Sequence, residues 1–224
     1  MQGLKYTVDI VFCIDATGSM GHLINEVKTG ALKFEEDLTK LMNEKEKQID
    51  TLRVKVISYR DFYHDGDDAF FESEFFKLPE QKTEFSKFVS SIDADGGGDE
   101  PENGLEALAV AFQSKWNKEG DKRRQIIVMW TDASAHTLDK NADSKPSNYP
   151  QNMPKNFDDF ADLWEGQSHM SSTSKRLLIY APDAYPWTDL GNHFSNAIHF
   201  PSKAGNGLAD TEYSEILNAI ANSV

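Results

Sequence analysis

Asp15, Thr17 and Ser19 put one carboxylate and two hydroxyls within five residues, directly after an apolar run. All three are hard oxygen donors, the kind that suits Mg²⁺, Mn²⁺ or Ca²⁺. The run before them, residues 8–14, is apolar apart from Asp9, which is the pattern of a strand buried on both faces. Beyond Ser19, the apolar positions Leu23, Val27, Ala31, Phe34, Leu38 and Leu41 step by three or four and predict a helix. The cluster therefore stands at the carboxyl end of a central strand, where open α/β sheets place their ligands. A Ser/Thr helix cap with Asp15 closing the turn is the purely structural alternative.

The rest of the pattern supplies neighbours for that strand. Residues 52–59 read as a second strand, followed by an Asp-dense loop over 60–68. Residues 69–78 alternate Phe and Glu in part, as an edge strand facing water on one side does. A short amphipathic helix is expected over 83–92, then the loop 95–102, then a helix carrying Leu105, Leu108, Ala109 and Phe112. Pro101 suits a first helical position, where its missing N–H costs nothing. Residues 125–131 form another buried strand and end on Asp132. The Pro- and Asn-rich stretch 135–154 reads as a long loop, 156–164 as a helix, 176–181 and 197–200 as strands, and 213–220 as a closing helix. Strands alternating with helices imply an α/β fold, doubly wound and Rossmann-like, its mostly parallel sheet covered on both faces. No internal repeat or domain linker interrupts residues 1–224, which are expected to form one domain.

In such a sheet the carboxyl-end loops share one edge. Asp15, Thr17 and Ser19, Asp99 in the glycine loop, and Asp132 then converge. Carboxylates gathered there repel one another unless a cation sits between them.

At these motifs the chain resembles the von Willebrand factor A family. Asp15-x-Thr17-x-Ser19 matches the D-x-[ST]-x-S element of the metal-ion-dependent adhesion site, and Asp132 in Trp130-Thr131-Asp132 matches its closing aspartate. Thr17 to Met20, Tyr59-Arg60-Asp61 and Gly96-Gly97-Gly98-Asp99 are similar to a subgroup that includes bacterial and alpha-kinase-associated members. Many relatives donate a threonine from the middle loop, where this chain has residues 96–102 instead. The resemblance implies a parallel sheet with one antiparallel edge strand. It also implies Mg²⁺ (or Mn²⁺ or Ca²⁺) held directly or through water by Asp15, Thr17, Ser19, Asp132 and Asp99. Asp99 has a second reading, as a cap of the following helix. The implied function is recognition of a protein partner, whose Asp or Glu carboxylate completes the shell, with no catalytic residues. Two hydroxyls, one or two aspartates and waters leave such a position open, and neutral hydroxyl ligands keep the ion electrophilic.

The alternatives differ in what they require. A phosphate-binding loop needs Gly-Lys-[Ser/Thr], which is absent, and Asp99 and Glu100 repel phosphate. A haloacid-dehalogenase-like phosphohydrolase with Asp15 as nucleophile needs an aspartate where Thr17 stands. Residues 64–68 could form a second cation site but lack EF-hand spacing, and a solvated acidic loop is the plainer expectation. His136 is a candidate for the rim, while His22, His169, His193 and His199 lack zinc spacing. The four tryptophans are expected in the core, Trp187 with the least support.

A net charge of −14 argues against nucleic acid and against an anionic membrane surface. A single cysteine, Cys13, excludes an internal disulfide framework. With no leader or spanning run apparent, a cytoplasmic location is expected, within a bacterial multi-protein system as the resemblance implies.

Overall fold

The computed structural model describes residues 4–98, 100–120, 122–139, 145–202 and 212–224, with only the backbone described at 4, 5, 22, 26, 27, 31 and 32. Strand β1 (Leu4–Asp15) runs into a single 3₁₀ turn, Gly18–Met20, and then helix α1 (Gly21–Glu44). There follow β2 (Lys47–Tyr59), β3 (Phe70–Glu72), β4 (Phe76–Leu78), α2 (Lys82–Ser90), α3 (Gly104–Phe112), β5 (Arg123–Trp130) and α4 (Phe157–Glu165). The chain closes with β6 (Lys175–Pro182), α5 (Trp187–His193), β7 (Ala197–Ser202) and α6 (Tyr213–Ser223).

The sheet is seven-stranded, in the order β3-β2-β1-β5-β6-β7, with β4 also on β2. β2, β1, β5, β6 and β7 are mutually parallel, and β3 and β4 lie antiparallel to β2 at the edge. The expected doubly wound sheet with an antiparallel edge is what forms. The edge segment itself is split, because at Ser73 a side chain replaces a backbone acceptor: Ser73 N–H donates to Val56 O (2.9 Å), while Val56 N–H donates to Ser73 Oγ (3.0 Å).

Because side chains alternate across a strand, β1 feeds two cores. Val8, Ile10, Phe12 and Ile14 pack with Leu23, Phe34 and Leu38 of α1 and Ile216 and Ile220 of α6. Val11 and Cys13 face Leu108 and Phe112 of α3, Phe160 and Trp164 of α4, and Trp187 of α5. All four tryptophans are buried, Trp187 included. Helix α5, absent from the sequence reading, is only seven residues long, too short for a period to show.

Register then sets the site. Asp15 pairs level with Tyr59, and Ile14 level with Trp130, so β1, β2 and β5 end together and their following loops share one rim.

Candidate metal centre

Around the end of β1 the Tyr59-Arg60-Asp61 segment acts as a clamp. Ala16 N–H donates to Tyr59 O (2.9 Å), and Arg60 reaches across to donate to Ala16 O (3.2 Å) and Asp93 O (2.9 Å). The turn carrying Thr17 and Ser19 is thereby fixed from outside. The glycine run closes it from above, as Asp95 N–H donates to Ala16 O (3.0 Å) and Gly18 N–H to Gly96 O (3.2 Å). At Gly97 φ is +89°, and a Cβ there would sit 2.6 Å from the Thr17 side chain and 2.9 Å from Glu102 Oε1. Glycine is required for that close approach; the run packs against the site instead of cradling phosphate.

Within this frame the carboxylate of Asp15 is fully buried and accepts three hydrogen bonds from neutral donors. Thr17 N–H (3.0 Å) and Thr17 Oγ1 (2.7 Å) donate to Oδ1, and Thr131 Oγ1 (2.6 Å) donates to Oδ2. Burial pushes its pKa up to about 6; the Thr131 and Thr17 hydrogen bonds pull it down, and nearby Asp132 adds to the rise. Asp15 therefore stands one layer behind the hydroxyls and orients them.

The front layer is a chain of oxygens. Thr17 Oγ1 lies 3.2 Å from Ser19 Oγ, which donates to Asp132 Oδ1 at 3.0 Å. Adjacent oxygens on a Mg²⁺ octahedron are about 2.9 Å apart, given metal–oxygen bonds of about 2.05 Å. The spacing of these donors suits that shell. Asp132 Oδ2 is buried and has no hydrogen-bond partner among the described residues. The cavity in front, about 200 Å³, is lined by Thr17 to Ser19, the three glycines, Glu100, Glu102, Asp132 and Ala133, none of them basic. The residues present thus fit a divalent ion: hard donors at suitable separation, an orphaned buried carboxylate oxygen, and acidic residues with no basic one among the described residues that line the cavity.

Asp15, Thr17, Ser19 and Asp132 are brought together. Asp99 lies outside the described residues. Among the described residues no three His, Cys, Asp or Glu side chains are grouped as a metal site, and the donors here are of another kind, two hydroxyls beside carboxylates.

Glu102 is the residue the sequence reading passed over. It is only 5% exposed, and Oε2 has no hydrogen-bond partner among the described residues. Burial, then the charges of Asp15, Asp61, Asp65 and Asp132, push its pKa up to about 9. Its signal was its place in Asp99-Glu100-Pro101-Glu102, immediately before the apolar α3, but nothing in spacing says which acid of that run turns inward.

The 64–68 loop is a solvated acidic turn at His64, Asp67 and Asp68, which are exposed, while half-buried Asp65 braces the site. Asp65 Oδ2 accepts from Gly97 N–H (3.0 Å) and Asp61 N–H (3.2 Å), while Asp67 Oδ1 accepts from Ser147 Oγ (2.8 Å). Buried Asp61 lies 3.4 Å from His136 Nε2 and 3.6 Å from His64 Nε2, placing His136 on the rim. His169 lines a separate groove, and His193 and His199 bond locally to Asp189 O and Ala181 O. The side chain of His22 lies outside the described residues.

Comparison with known proteins gives the family and the fold. A family model described as von Willebrand factor A domain matches residues 9–147. The alpha-protein kinase vwkA of Dictyostelium discoideum is 31% identical over 148 residues, covering 65% of this chain but 22% of that protein. Two crystal structures of the pilus adhesin SpaC from Lactobacillus rhamnosus GG, one in an open conformation, superpose with TM-scores of 0.57 and 0.55. They are 13% and 12% identical and share the fold over 96% of this chain and 30% of theirs.

Proposed function

This chain belongs to the von Willebrand factor A domain family, and we propose that it is a recognition module in which a divalent cation, Mg²⁺ or Mn²⁺ foremost, joins it to an acidic residue of a partner protein. The coarser part, a protein-interaction module, follows from the family. One observation carries the finer part: Thr17 Oγ1, Ser19 Oγ and Asp132 Oδ1 succeed one another at 3.2 and 3.0 Å in a cavity with no basic residue among the described ones that line it. When bound, the ion supplies a Lewis-acidic position for the partner carboxylate. Thr17 and Ser19 present their hydroxyls to it; Asp132 contributes charge; Asp15, through Thr17 and Thr131, fixes the orientation. The loops 60–68 and 133–138 follow β2 and β5 at the same sheet edge and shape which partner fits.

Kinase activity belongs to the name of a relative of which this chain spans 22%, and nothing in the site supports a phosphoryl transfer. Asp15 as nucleophile is disfavoured because it is buried and both its oxygens already accept hydrogen bonds. A nucleophile must instead present an oxygen to the phosphorus.

The test uses acetate as a surrogate for the partner's carboxylate. With the chain loaded with Mn²⁺, the acetate methyl resonance should broaden well beyond the effect of the same free Mn²⁺, and Asp15→Asn should abolish the excess. Mn²⁺ binding without acetate broadening would leave an ion site but overturn carboxylate bridging. Hydrolysis of an aryl phosphate with Mg²⁺, lost in Asp15→Asn, would favour the phosphohydrolase.

A further inference from the structure

The carboxylate of Glu102 has no role in the donor set above, yet it is buried in the same cavity as Asp132 and beside Thr17. Its main chain is held firmly. Glu102 N–H donates to Ser134 O (3.0 Å) and Glu102 O accepts from His136 N–H (2.8 Å), a β-bridge that locks it to the loop following Asp132. The side chain and Thr17 both close on the position a Cβ of Gly97 would take. Among the described residues no Lys or Arg lines the cavity, and Oε2 finds no hydrogen bond. A buried carboxylate oxygen left in that state is costly unless something outside the chain satisfies it.

From this we propose that Glu102 is itself a ligand of the bound cation, the second carboxylate of the front layer beside Asp132. This rests on the metal-bridged reading above and deepens it. The front donors are then two hydroxyls and two carboxylates, with Asp15 behind them. Two front carboxylates neutralise a divalent ion, which weakens its pull on a further carboxylate. They also favour Ca²⁺, which accepts more and bidentate oxygens, over Mg²⁺, which demands a strict octahedron. Glu102 thereby sets both which ion is held and how tightly a partner is gripped. Because its backbone is bridged to Ser134 and His136, the same residue joins the ion to the recognition rim.

Glu102→Gln keeps shape and removes the charge; Glu102→Thr supplies a hydroxyl instead. Free Mn²⁺ is counted by its paramagnetic resonance during titration of the native chain and both variants, with Ca²⁺ and Mg²⁺ as competitors. The melting curve of each without metal checks that it folds. The expected result is a roughly 10–100-fold weaker Mn²⁺ affinity in Glu102→Gln, the scale seen when groups around a metal are altered. In Glu102→Thr the Ca²⁺ to Mg²⁺ preference should shift toward Mg²⁺, with stronger acetate broadening per bound Mn²⁺. Native and Glu102→Gln chains that bind Mn²⁺ equally well overturn the role of Glu102 while leaving the metal site standing. A native chain that binds no Mn²⁺ overturns the metal reading itself.

Discussion

Strand β1 carries two buried carboxylates on one face, Asp9 and Asp15, six residues and about 20 Å apart. Each accepts three hydrogen bonds. For Asp9 the donors are Arg53 Nε (2.8 Å), Arg53 Nη2 (2.6 Å) and Asn117 N–H (2.6 Å), so a guanidinium fork cancels its charge. For Asp15 the donors are Thr17 and Thr131, all neutral, with Asp132 nearby adding like charge. At one end of the strand the chain supplies the cation; at the other it gathers anions, and among the described residues no Lys or Arg lines the cavity. The first arrangement serves stability, whereas the second has the form of a binding site that costs stability until it is filled.

That contrast can be broken from either end. The largest effect is expected at the structural end. Arg53→Ala strands a buried charge and should lower stability by about 3 kcal/mol in denaturant melts, leaving Mn²⁺ affinity unchanged. At the other end, Asp15→Asn should leave metal-free stability equal or higher. It should erase the rise in melting temperature that a cation gives the native chain, a gain of about 2.7 kcal/mol at a hundredfold excess over Kd.

The pH response sharpens the contrast further. In the metal-free fold the pKa of Asp15 rises from 3.8 to about 6, and that of Glu102 from 4.5 to about 9. The folded state then binds more protons than the unfolded one between those limits, so stability is greatest below about pH 4 as far as these groups are concerned and declines as pH climbs through 6 toward 9. Urea midpoints across that range should fall without metal and flatten with saturating Mn²⁺. The smallest expected effect belongs to Ser19→Ala, which removes one neutral donor of about 1 kcal/mol, roughly fivefold in Mn²⁺ affinity.

Much of this was legible in residue order. The apolar run before Asp15, the helical spacing after Ser19 and the Asp closing residues 125–131 carried the doubly wound sheet, and parallel register did the rest by ending β1, β2 and β5 together. Thr17, Ser19 and Asp132 were legible because their positions relative to strand ends fix their direction. Glu102 was not, since which acid in residues 99–102 points inward depends on a β-bridge to Ala135, a contact 33 positions away. The bracing role of Asp65 was hidden for the same reason: it is set by Gly97, 32 residues on. Asp9 looked like a flaw in an apolar strand because its partner Arg53 lies on the neighbouring strand.

The central claim is that the carboxylates at the end of β1 await an external cation, as those at its start do not. Calorimetric titration of Mn²⁺ into the native chain, stripped beforehand with chelator, tests it most directly. The account predicts one saturable site per chain, lost in Asp15→Asn and kept in Asp9→Asn. A flat titration of the folded, stripped native chain, or an undiminished site in Asp15→Asn, would contradict it.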